Sequence, residues 1–115
     1  MTELRNYYGQ LLYKIDKNDI MDFYYRKLYF IDNNDIKEYN SRKLIYRIKG
    51  DEIQDFYGKI LWRFDGKYFK DYYGKILYVY DNGAIKTFGG SIEYKIIDAK
   101  NKMEIMAFFA LFVVR

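Results

Sequence analysis

The chain has 115 residues, of which 22% are aromatic and 31% charged, with 15 Tyr, one Trp, no Cys, no His, no Pro and a formal net charge of +4. That length bounds the chain to one modest core, and its apolar content is enough to offset the entropy of ordering, which excludes a disordered chain. Without Cys or His there is no disulfide framework, no thiolate metal site and no imidazole base, so zinc enzymes and Ser-His or Cys-His hydrolases are excluded.

The first segment, Met1 to Gln10, has no basic start followed by an apolar stretch, so no secretory signal is read and a cytoplasmic location is expected. From Tyr7 the chain repeats itself: YYGQLLYKIDKNDIMD, FYYRKLYFIDNNDIKE from Phe23, YNSRKLIYRIKGDEIQD from Tyr39, FYGKILWRFDGKYFKD from Phe56, YYGKILYVYDNGAIKT from Tyr72, and a degenerate FGGSIEYKIIDA from Phe88. The period is 16 residues, with one extra residue in the third copy. Constant spacing of this kind marks a repeating structural unit.

Each copy reads as two short strands. Lys59 to Asp65 alternates Ile60, Trp62 and Phe64 against Leu61, Arg63 and Asp65, and the equivalent faces are Leu11, Tyr13, Ile15 and Ile76, Tyr78, Tyr80. Asp-Gly and Asp-Asn-Gly steps at Asp65-Gly66 and Asp81-Asn82-Gly83 then predict tight antiparallel turns. A second strand runs through Ile20, Ile36, Ile53, Phe69 or Ile85 into a Tyr-Gly step at Gly9, Gly58 and Gly74. Because Tyr25 and Ser41 stand in place of that Gly in the second and third copies, this turn is not expected to require a left-handed residue. The fold class is therefore all-β, an antiparallel meander of 11 or 12 short strands over residues 1–100.

Residues 101–115, NKMEIMAFFALFVVR, break the pattern with ten uninterrupted apolar residues from Ile105 to Val114. Asn101 with Glu104 three positions on predicts a capped helix, the β-branched Val113 and Val114 leaving a strand as the alternative. The run falls short of the roughly 20 residues of a membrane span, so a helix apolar all round must be enclosed by protein. A 12-stranded ring has a backbone radius of about 12 Å, and a helix with its side chains is about 10–12 Å across. Those dimensions favour a barrel closed around the helix over an open sheet completed by a second chain. The architecture resembles the tubby-like and LURP-one-like barrels, in which antiparallel strands surround an apolar C-terminal helix. The short Tyr-rich hairpins are also similar to choline-binding and glucan-binding repeats.

Asp16, Asp32, Asp65 and Asp81 share one turn position, where binding to nearby backbone amides accounts for them more simply than an acid pair. The Asp- and Asn-rich turns at 16–19 and 32–35 lack the Gly and distal Glu of a calcium loop. Arg26, Arg42, Lys59 and Lys75 form a second ladder beside Asp22, Glu38, Asp55 and Asp71, read as cross-strand ion pairs on a solvated face rather than a nucleic-acid surface. No phosphate loop or other cofactor motif is present, and no catalytic residue or metal ligand is assigned. The candidate ligand or partner surface is Tyr8, Tyr24, Tyr57 and Tyr73 together with Trp62. These features predict a non-catalytic structural or protein-interaction module, with a homo-oligomer or another protein as partner. The alternative is a module binding a glycan, lipid or other apolar ligand.

Overall fold

A computed structural model describes residues 1–114. Twelve strands form one closed antiparallel barrel in which every strand pairs with its chain neighbours and the first pairs with the last. In chain order they are β1 (Thr2–Asn6), β2 (Leu11–Asp16), β3 (Asp19–Asp22), β4 (Lys27–Asp32), β5 (Asp35–Glu38), β6 (Leu44–Lys49), β7 (Glu52–Asp55), β8 (Ile60–Phe64), β9 (Tyr68–Asp71), β10 (Ile76–Asp81), β11 (Ala84–Thr87) and β12 (Ile92–Ile97). The helix α1 (Lys102–Phe108) continues into a π-helical turn, Phe109–Val113.

One end of the barrel carries the tight turns. Lys17 and Asn18 (φ 51° and 72°), and Asn82 and Gly83 (φ 49° and 81°), have the paired positive φ that matches a two-residue loop to strand twist. The last residue of each turn then offers its carbonyl to the next long strand: Ile31, Ile48, Phe64, Tyr80 and Ile96 donate to Asn18, Asn34, Asp51, Lys67 and Gly83 at 2.6–2.8 Å. These bonds tie each hairpin to the one after it.

The opposite end carries longer loops, built as a turn plus one left-handed residue. Asp55 accepts from the Gly58 amide through its carbonyl, while its Oδ1 accepts from the amides of Tyr57 and Lys59, both at 2.9 Å. Asp71 and Asp22 do the same, and Asn6 substitutes in the first copy. The left-handed residue is present in the copies without Gly: Tyr25 has φ 67° and, displaced by the extra residue, Arg42 has φ 60°. The expectation that this turn needs no left-handed residue is therefore corrected, because the hairpin geometry fixes φ there whatever side chain the sequence supplies.

Each long strand also carries a bulge near its start. Ile53 pairs with Trp62 and Gln54 with Ile60, leaving Leu61 as the extra residue; Leu12, Leu28, Ile45, Leu77 and Glu93 occupy the same position. The strict alternation expected from Ile76 to Tyr80 is broken there, and Leu77 joins Tyr78 and Tyr80 against the core. Bulges increase local twist and bend the strand, which helps a short sheet close.

Inside, Leu4, Ile20, Ile36, Ile53, Phe69 and Ile85 form a ring of fully buried side chains. A second ring, Ile15, Ile31, Ile48, Phe64, Tyr80 and Ile96, lies toward the tight turns, and a third, Tyr13, Tyr29, Tyr46, Trp62, Tyr78 and Tyr94, toward the long loops. The helix fills the space these rings leave. Phe109 stacks on Phe69 at 4.0 Å between ring centroids, Phe69 stacks on Phe64, and Phe112 stacks on Tyr13 at 3.6 Å. Asn101 is the N-cap, accepting from the Glu104 amide, but Glu104 reaches back to the Lys100 amide rather than to Asn101. The helix enters at the tight-turn end, where Lys102 pairs with Asp51, and ends among the tyrosines at the other.

Candidate functional site

The six long loops, residues 7–10, 23–26, 39–43, 56–59, 72–75 and 88–91, all lie at one end of the barrel. Eleven of the chain's aromatic residues fall in them: Tyr7, Tyr8, Phe23, Tyr24, Tyr25, Tyr39, Phe56, Tyr57, Tyr72, Tyr73 and Phe88. All but Tyr39 are at least half exposed. At the opposite end, the tight turns at 17–18, 33–34, 50–51, 65–67 and 82–83 contain no aromatic residue.

Of the residues singled out from the sequence, Tyr8, Tyr24, Tyr57 and Tyr73 occupy equivalent loop tips and are 84, 67, 82 and 90% exposed. The turn geometry puts them there, since each follows the first loop residue and donates its amide to the Asx oxygen that closes the loop. Trp62 does not join them. It lies inside the barrel, 5.8 Å from Tyr46 and edge-on to Phe109.

Sequence reasoning missed the partners of these tyrosines. Tyr7, Phe23, Phe56 and Tyr72 precede them and touch them ring to ring, at centroid distances of 4.1–5.4 Å. The signal was present as a doublet of aromatic residues at the start of four of the six copies.

The loops also contain five cations, Arg26, Arg42, Lys43, Lys59 and Lys75, and no carboxylate. The expected ion-pair ladder with Asp22, Glu38, Asp55 and Asp71 is corrected here. Asp55 and Asp71 direct Oδ1 at loop amides, Glu38 accepts from the Ser41 hydroxyl, and only Arg26 is seen paired with its ladder acid, Asp22, at 2.7 Å. Burial of Asp22 raises its pKa, but the Arg26 amide, the Arg26 guanidinium and the Tyr24 amide outweigh this and hold it below the usual carboxylate range. Conversely, Asp32, Asp65 and Asp81, read as turn caps, sit 2.8, 4.0 and 3.1 Å from Lys37, Lys70 and Lys86 across their hairpins. Asp65 keeps its turn role as well, accepting from the Lys67 and Tyr68 amides.

At the mouth beside the helix end, Tyr13, Lys27, Tyr29, Glu38, Asn40 and Phe112 line an open cleft of about 440 Å³. Lys27 there is held by Asp19 at 3.3 Å, which with Tyr39 raises its pKa. Among the described residues no group of acids is placed to hold a metal ion, and no buried side-chain nitrogen or oxygen lacks a partner. The end face thus presents exposed aromatic rings together with cations.

Comparison with protein-family models, with curated proteins and with solved structures finds no match to this chain.

Proposed function

We propose that the barrel is a non-catalytic interaction module whose working surface is the end face formed by the six long loops. The observation that supports this is the segregation of exposed rings to that end, because a soluble surface rarely keeps so many large apolar groups together without a use for them. The closed, fully paired wall supports it too, since a barrel has no free strand edge to offer by β-addition. Contacts are then left to the loop faces.

The test is site-specific photo-crosslinking in cells. A benzophenone side chain at position 73, on the aromatic face, is expected to give adducts to protein or lipid, read as added mass on the chain, whereas one at position 33, in a tight turn, gives few. Equal yields from both positions, or none from position 73, would overturn the reading.

A further inference from the structure

We infer that the partner of the aromatic end face is the surface of an anionic lipid bilayer, an inference that rests on the interaction role proposed above. The face combines rings with cations on one side of the molecule. Tyr, Phe, Lys and Arg are the side chains that settle at a membrane–water boundary, the rings among the headgroups and the cations reaching lipid phosphates with their stems on apolar surface. Arg26, Arg42, Lys43, Lys59 and Lys75 supply five positive charges in the loops themselves, with no loop carboxylate. Counted alike over turns or loops and their adjoining strand ends, this end holds six cations, Lys27 included, against four acids, Asp22, Glu38, Asp55 and Asp71, whereas the far end holds three, Lys17, Lys49 and Lys67, against eight, Asp16, Asp19, Asp32, Asp35, Asp51, Glu52, Asp65 and Asp81. This charge axis orients the aromatic face toward a negative plane and the acidic end away from it.

Shape points the same way. The molecule measures 38 × 32 × 22 Å. Strands of four to six residues extend about 13–20 Å, so they run along the short dimension and the loop ends form the broad faces. A broad face ringed by aromatic tips suits a flat partner. The same strands are far below the 9–11 residues a membrane-spanning strand needs, which leaves docking from one side.

Two other occupants fit less well. Within each of the four pairs the rings are tilted or edge-on to each other, at interplanar angles of 36–84°, so no pair forms a parallel-walled slot for a sugar. A second copy docked face to face would set two faces of net positive charge against each other.

The experiment is co-sedimentation of the full chain with vesicles of phosphatidylcholine alone or with about one quarter phosphatidylglycerol, alongside light scattering of the free protein. Binding is expected to the anionic vesicles and to fall with added salt. Joint replacement Tyr8→Ser, Tyr24→Ser, Tyr57→Ser, Tyr73→Ser is expected to abolish it. Lys59→Gln with Lys75→Gln is expected to weaken it by tenfold or more, at about fivefold per cation. Lys17→Gln with Lys67→Gln removes the same charge from the opposite end and is expected to change nothing. Circular dichroism and Trp62 fluorescence check that each variant is folded. No vesicle binding, or binding that the tight-turn variant weakens as much as the loop variant, overturns the inference. A dimer in light scattering that the Tyr→Ser variant disperses, without vesicle binding, replaces the bilayer with a second copy and leaves the interaction role standing. Absence of vesicle binding together with absence of crosslinks from position 73 removes both.

Discussion

The Thr2 hydroxyl donates to Glu104 Oε1 at 2.5 Å, joining the first strand to the first turn of the central helix across 102 positions of chain. Both residues are buried, Glu104 also holds the Lys100 amide, and Thr2 Oγ1 lies 3.1 Å from the Asp98 carbonyl. Thr2→Val keeps the shape and removes the donor, leaving a buried carboxylate short of a partner. A loss of about 1–3 kcal/mol is expected, read from urea unfolding midpoints. Because β1 also closes the ring against β12, the same variant is expected to raise amide exchange at Arg5 and Lys95, which pair across that seam, ahead of the strands on the far side of the ring.

Phe109 is fully buried and touches Phe69, Trp62 and Tyr78. Phe109→Ala opens a void at the centre of the barrel and is expected to cost about 3–5 kcal/mol. Trp62 is the sole tryptophan, so its emission should shift in the folded variant as its edge-on neighbour is lost. A variant as stable as the parent would mean that the helix is not the core of the ring.

Tyr25 holds a left-handed φ while its ring covers Lys14 Nζ at 3.0 Å from the centroid, leaving Lys14 only 2% exposed. A non-glycine residue in that region costs about 1–2 kcal/mol, and a sheltered cation–π contact returns a similar amount. Tyr25→Ala keeps the strain and strips the cover, so a loss of about 1–2 kcal/mol is expected. Tyr25→Gly loses the cover but also the strain, and should unfold at a urea concentration close to that of the parent. Equal losses in the two variants would contradict this balance.

Acid should weaken the fold through Asp22 and Asp65. Burial raises the Asp22 pKa but is outweighed by Arg26 and the Tyr24 amide, and the Tyr68 and Lys67 amides lower that of Asp65. Both folded values lie below the ordinary 3.8. Their contribution is therefore complete above that value and is lost as pH falls through it toward the folded pKa. Asp22→Asn is expected to flatten the dependence of the urea midpoint on pH below about 4.

The alkaline side is governed by half-buried tyrosines. Burial raises the pKa of Tyr80, and burial with Glu93 and Tyr94 raises that of Tyr78, above the ordinary 10.0. Both favour the folded state fully below that value, and the advantage is lost as pH rises through their folded pKa. Ultraviolet titration should show exposed tyrosines ionising first and a late fraction, reduced by Tyr80→Phe, that ionises only at higher pH or on unfolding.

Much of the architecture was legible because its signals are periodic. The strand pairs, the Asp-Gly turns, the closed ring and the Asn101 cap follow from spacing and from the match between ring and helix size. The bulge at Leu61 and its equivalents was hidden, because an apolar residue at that position reads as one more member of an alternating strand. The two Asp ladders exchanged their main roles for a similar reason. Asp32 and Asp55 both sit at strand ends beside turns, and only the loop length beyond them decides whether the carboxylate meets an amide or a lysine. The π-helical turn likewise has no pattern in ten unbroken apolar residues; it appears where Phe109 and Phe112 meet Phe69 and Tyr13. At the end face, the tyrosines were visible as a ladder, but their segregation from every tight turn appears only once the ring is closed.

The central helix also acts as a gauge for counting hairpins. Each hairpin adds two strand spacings to the circumference, so losing or gaining one changes the backbone radius by about 2 Å. With Phe109 already stacked against Phe69 at 4.0 Å, a smaller ring would collide with the helix, and a larger one would stand clear of it on all sides. In-frame duplication or deletion of a 16-residue unit would leave local strand pairing intact and still fail at the core. Hairpin number in this chain is thus held by the width of a single helix, and a change in that number would have to be matched by a change in the side chains along its length.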